Sequence, residues 1–218
     1  MLFKALAISI LAFAGQATAA TWYFLRYYPA SGQQFTSFSG DMAIPTLQQA
    51  GTYYLWPGLQ PTDGSGVYQN VLDGRSGTWW IGSGWCCSNP SLPWGDGFNT
   101  YGGEVVTFSN TLGDSTWTST LTRQATGDTL SNDFALADKS FNQALFAVEL
   151  TGVSWDFGPL AFSNVVITST GGTEASWCNT SPENYNSATV YSISGLSSSV
   201  SGNTVTCTID SLVLESPA

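Results

Sequence analysis

The chain of 218 residues contains no histidine. That absence excludes the Ser-His-Asp triad, the Cys-His pair and histidine metal sites. Any chemistry therefore falls to carboxyl, amide, hydroxyl or phenol groups. Positive charge is almost as scarce, with five Lys and Arg against 15 Asp and Glu. A surface this acidic repels phosphate backbones, which argues against nucleic acid as a partner. It suits an acidic medium, where protonation relieves repulsion, although solubility alone would also account for it. Long apolar runs are missing too. None approaches the roughly 20 residues of a membrane helix, so no membrane partner is expected. The few cysteines match no zinc spacing, and neither a metal nor a cofactor is expected.

The start of the chain reads as a targeting segment. Lys4 precedes a short apolar run over residues 5–14, and Ala17-Thr18-Ala19-Ala20 offers small residues to a signal peptidase. This predicts a signal peptide at 1–20 and an exported, extracellular, monomeric domain at 21–218. Only Arg26, Arg75, Arg123 and Lys139 then remain as basic residues. In an oxidising compartment Cys86, Cys87, Cys178 and Cys207 are expected to form disulfides. The preferred pairing staples Cys178 to Cys207 and leaves a vicinal Cys86-Cys87 bridge. The alternative runs two bridges from the Cys86-Cys87 pair to the C-terminal region. Asn179-Thr180-Ser181 is an N-glycosylation sequon in a polar stretch that reads as a surface loop.

No stretch after residue 20 carries a helical period. Short alternating apolar runs are broken every few residues by Gly, Ser, Asn or Asp. They predict strands at 22–28, 35–44, 53–59, 66–72, 78–85, 104–109, 117–123, 127–135, 144–150, 160–168, 189–194 and 204–213. The serines at 197–199 read as a loop. Such a series predicts an all-β domain, a sandwich or barrel.

Alternation also assigns faces. Ala144, Phe146, Val148 and Leu150 form a core face, and Gln143, Leu145, Ala147 and Glu149 point away from it. The other glutamates, Glu104, Glu174, Glu183 and Glu215, lie near turns or the chain end, where solvation explains them. Aromatics crowd residues 53–101. A row of exposed rings beside amides suits an extended polymer, since sugar rings stack on aromatic faces. Trp79 and Trp80 must face opposite ways. The candidate binding residues are Trp56, Gln60, Tyr68, Trp79, Trp80, Trp85 and Gln143.

Phe38-Ser39-Gly40, Ile44-Pro45, Trp56-Pro57-Gly58-Leu59, Tyr68-Gln69, Trp79-Trp80 and Pro159-Leu160-Ala161-Phe162 follow one another in an order and spacing that resembles the eqolisin-type glutamic peptidases. Those are acid-active secreted fungal enzymes. The resemblance implies an antiparallel β-sandwich, a concanavalin A-like jelly roll with a concave aromatic groove. In that family a glutamate activates water and a glutamine amide holds the oxyanion. The resemblance puts Gln69 at the glutamine position and Leu145 at the glutamate position. Gln60 and Gly82 stand at or near two further carboxylate positions. Glu149 lies on the same strand face as Leu145, about 13 Å further along.

These readings favour a secreted sandwich that binds an extended polymer, a glycan first, in a carbohydrate-binding or carbohydrate-active role. An acid hydrolase using Gln69 and Glu149 is the second expectation. A non-catalytic structural or effector protein is the third. A glycosidase would need a second carboxylate near Glu149, with Asp73 or Asp156 as candidates. A lyase could use Arg75 with a tyrosine.

Overall fold

A computed structural model of the chain describes residues 19–87, 90–187 and 189–217. Most of the proposed signal segment lies outside the described residues. The strands in chain order are β1 (Ala20–Tyr27), β2 (Gln34–Ala43), β3 (Thr52–Pro61), β4 (Val67–Asp73), β5 (Trp79–Cys86), β6 (Gly97–Thr100), β7 (Val105–Leu112), β8 (Trp117–Arg123), β9 (Thr129–Phe134), β10 (Phe141–Thr151) and β11 (Leu160–Thr170). After the one-turn helix α1 (Ser176–Asn179) come β12 (Glu183–Asn184), β13 (Val190–Ser194), β14 (Ser197–Ser201) and β15 (Thr204–Glu215). Among the described residues no helix is long and apolar enough to cross a membrane.

The strands form two antiparallel sheets packed as a sandwich. The front sheet runs β12-β1-β10-β3-β4-β5-β6, and the back sheet runs β13-β15-β11-β2-β7-β8-β9, with β14 also paired to β15. The serine run read as a loop is therefore strand throughout. Its low β propensity hides it, and it is held by pairing along β15. The sequon asparagine, Asn179, closes α1 instead of sitting in a loop, and its side chain is exposed.

Between the sheets lies an aromatic core. Phe146 of β10 meets Phe38 of β2 edge-on at 5.2 Å and Phe162 of β11 at 4.9 Å. Tyr68, Trp117, Phe134 and Phe141 form a second knot near one end. Edge-to-face contacts of this kind add to the area term that drives the sheets together. One buried cluster in this core is polar. Asn70 of β4 donates to Ser119 Oγ of β8 at 2.7 Å and to Ser83 Oγ of β5 at 2.9 Å, and accepts from Asn110 of β7 at 2.6 Å. The two serine hydroxyls share a further bond of 2.7 Å. All four side chains are fully buried, and they tie the two sheets together.

The disulfides are Cys178–Cys207, joining α1 to β15, and Cys86–Cys87 at the end of β5. The first pairing read from the sequence is the one present. Asn164 in β11 adopts a left-handed φ of 51° at a break in the ladder, and its amide donates to Asp41 Oδ2 at 2.8 Å.

Candidate polymer-binding groove

The outward face of the front sheet carries a groove of about 990 Å³. Its lining follows from strand register. One row crosses six strands: Trp22 on β1, Glu149 on β10, Tyr54 on β3, Asp73 on β4, Trp80 on β5 and Asn99 on β6. Two residues along, Phe24, Ala147 and Trp56 lie in sequence across β1, β10 and β3, and Val71, Gly82 and Gly97 continue the row. A third row holds Arg26, Leu145, Gly58, Gln69 and Gly84.

Glycines pave this face, and tryptophans occupy the space they leave. A Cβ at Gly58 would touch the Trp56 ring. At Gly82 and at Gly97 it would collide with the Trp80 ring, and at Gly84 with the Trp94 ring. Several adjoining ring atoms meet each position, so the rings lie across the bare backbone instead of standing beside it. Trp94 comes from the loop after β5. The Gly95 N–H holds that loop to the Ser83 carbonyl at 2.9 Å, and Asn132 clasps Asp96 from the side. Trp94 remains 42% exposed and Trp22 40%.

The charges in the groove are unequal in their partners. Asp73 grips the Arg75 guanidinium, with contacts of 2.6 Å to Nη2 and 2.9 Å to Nε. The same guanidinium lies over the Tyr54 ring at 5.3 Å. Glu149 has no ion pair among the described residues. Burial pushes its carboxyl above the usual glutamate range, and the nearby Trp56 indole offsets this only in part. That indole N–H is buried without a well-aligned acceptor.

Several expected site residues fall elsewhere. Tyr68, Trp79 and Trp85 are core residues, not groove residues. Their parity decides it: they alternate with Gln69, Trp80 and Gly84, which face out. The Trp79 indole donates to the Pro45 carbonyl at 2.8 Å, so its polar edge is satisfied inside. Gln60 and Gln143 face each other across β3 and β10. Gln143 Oε1 is occupied by Arg26 Nη1 at 2.7 Å. Trp56, Gln69, Trp80 and Glu149 do line the groove. So do Asp73 and Arg75, named only as possible catalytic partners, and Tyr54, Val71, Trp94 and Asn99, which were not candidate binding residues. Alternation from Trp56 and Gln69 would have found Tyr54, Val71 and Asp73. Trp94 lies in a loop, where alternation gives no signal.

Glu183 is not merely solvated. It binds Arg26 Nη2 at 2.8 Å and accepts the Tyr28 hydroxyl at 2.7 Å. These contacts hold its carboxyl below the usual range. Tyr185, two residues on, stacks on Phe24 at 4.4 Å. Together they latch the short β12 segment to the β1 edge.

Comparison with known proteins bears on this arrangement. No protein-family model and no curated protein matches the sequence. Among solved structures, scytalidoglutamic peptidase bound to a peptide-based transition-state analogue superposes with a TM-score of 0.55 at 18% identity, covering 89% of this chain and 98% of that one. SCP-B, an eqolisin peptidase in complex with a tripeptide, gives 0.53 at 18%, with the same coverage. The fold is that of the glutamic peptidases.

Within that fold, Leu145 and Gln69 share a row with only Gly58 between them, about 10 Å apart across the strands. The position opposite the glutamine is thus filled by a leucine. It is buried in an apolar pad with Trp56, Val71 and Ala147. Glu149 is two strands from Gln69 and four residues further along, about 16 Å between backbones. A general base must reach its water within hydrogen-bond range of the assisting group. Gln69 and Glu149 share the groove, at positions in different cross-strand rows. Asp156 is no partner for Glu149 either, because it is bound at the Tyr53 hydroxyl, on the inward face of β3.

Proposed function

We propose that this chain is an exported β-sandwich that binds an extended glycan across the outer face of its front sheet, without cleaving it. The observation that carries this reading is the pairing of Trp80 and Trp94 with glycines, over a buried Trp56 packed on Gly58. Each ring spends one face on backbone and is fixed before any ligand arrives. Preorganised apolar platforms beside polar groups are what stacked sugar rings require. Trp22 and Trp80 lie four strands apart, about 19 Å, which is room for a chain of several rings. Hydrolysis is not favoured: Leu145 cannot move a proton, and Asp73 is held by Arg75. The apolar run at the N-terminus and the two disulfides support export. Asn179, exposed at the end of α1, is open to glycosylation.

An extended peptide is the second reading. Gln69 opens into the same groove, and a solved relative of this fold is described with a tripeptide. A binding screen of the purified protein at about pH 4–5 against polysaccharides and denatured proteins separates the two, within the range where carboxylates titrate. Trp80→Ala is expected to weaken polysaccharide binding about 10- to 100-fold, because a buried tryptophan platform concentrates binding energy. Its melting temperature should move little, since Trp80 is only partly buried on an outer face. Proteolysis that disappears in Gln69→Ala would replace this reading with the peptidase one.

A further inference from the structure

The groove has one charged group, Glu149, without an ion-pair partner among the described residues. Glu149 sits between Trp22 and Tyr54 in the cross-strand row. Directly opposed residues on one sheet face have Cβ atoms about 5 Å apart, so both rings flank the carboxylate. Trp56 closes a third side, with its ring 6.4 Å from that of Trp22 and nearly perpendicular to it at 79°. The nearest basic side chain on this face, Arg75, is committed to Asp73 and to the far side of Tyr54. A carboxylate without an ion pair is thus flanked by the Trp22 and Tyr54 rings, over a buried Trp56 whose indole is turned toward it. That arrangement attracts an ammonium group through both cation–π and ionic terms.

We propose that Glu149, Trp22, Tyr54 and Trp56 form a subsite for a primary ammonium group, and that the polymer is an amino-polysaccharide with unacetylated amines. The proposal rests on the glycan reading above. Three observations support the amino-sugar polymer. The chain carries far more acidic than basic residues, so a cationic polymer is drawn to it and a uronic-acid polymer is repelled. The tryptophan platforms extend on from the cage to Trp80 and Trp94, so rings on either side of the amine have a surface to rest on. And the cage is shallow enough for an amine attached directly to a ring, since Trp22 is 40% exposed. The titratable groups facing the cage are Glu149 and Tyr54, with Asp73 and Arg75 beyond the latter. A bound ammonium would also return Glu149 toward its usual ionisation, reversing the effect of burial.

Calorimetric titration of the mature protein with a glucosamine hexamer and with its fully acetylated counterpart tests this. It is run at about pH 6, above the usual glutamate range and below that of an amine. The unacetylated hexamer is expected to bind about tenfold more tightly, an effect of the size that a desolvated cation–π and ionic contact supplies. Glu149→Gln should bring the ratio of the two affinities to about one, and Trp22→Ala, which removes an exposed wall of the cage, should reduce it in the same direction. Both variants should melt cooperatively, so a lost ratio cannot be ascribed to misfolding. Equal affinity for both hexamers in the unchanged protein overturns the ammonium subsite and leaves the glycan reading standing. A ratio that survives Glu149→Gln also overturns it. Binding of neither hexamer, with binding of a lysine-containing peptide instead, overturns both.

Discussion

Replacing Asn70 with alanine is expected to lower the free energy of unfolding by about 3–4 kcal/mol, measured by urea denaturation. Asn70 makes three of the four hydrogen bonds in the buried cluster that spans the sheets. Its removal strands the Asn110 amide, whose oxygen already lacks a partner. Ser83 and Ser119 each lose the Asn70 amide donor. An unsatisfied buried donor costs about 1–3 kcal/mol by itself, and the vacated volume adds to it. The slope of free energy against urea should stay as in the unchanged protein, because the sandwich remains one cooperative unit. A loss below about 1 kcal/mol would mean that water replaces the amide.

Gly82→Val is the corresponding change for binding, and the largest expected there. A Cβ at residue 82 points out of the front sheet into the volume held by the Trp80 ring. The ring spans both Gly82 and Gly97, so it must swing away from the sheet as a whole. Valine suits a strand, and the position faces away from the core, so the fold should survive. Two defects then combine: the platform is lost and a branched side chain rises where the ligand should lie. Polysaccharide affinity should fall by more than about 100-fold, a greater loss than for Trp80→Ala. Near-ultraviolet circular dichroism should register the moved indole while the far-ultraviolet signal is retained. Full affinity in Gly82→Val would show that ligand contacts lie off this part of the sheet.

How far these features can be read from the sequence depends on the range of the interaction. Alternation is local, and it placed Phe146 and Val148 inside and Glu149 outside correctly. The same rule, applied to Tyr68 from Gln69 or to Trp85 from Gly84, sends both rings into the core; counting aromatics without parity put them in the groove. The asparagine network was out of reach, because two of Asn70's three partners, Asn110 and Ser119, lie on strands of the other sheet. Glu183 is similar: its partner Arg26 lies on the first strand, and no local pattern connects them. Strands β6, β12 and β14 are short or serine-rich, and pairing across the sheet holds them where propensity does not. Resemblance supplied what pattern could not, the alignment that set Leu145 opposite Gln69, and the register of β10, β3 and β4 agrees with it.

The row from Trp22 to Asn99 draws one residue from each of six strands. No single stretch of chain, and no fragment, contains it. Its first two members join the opening strand to one formed more than a hundred residues later, a pairing that contributes little until the intervening loops are closed. The row, and with it the binding proposed for the groove, is thus complete only at the last stage of folding. A partly folded chain carries the rings but not the surface, and retention on an immobilised ligand would separate finished molecules from unfinished ones.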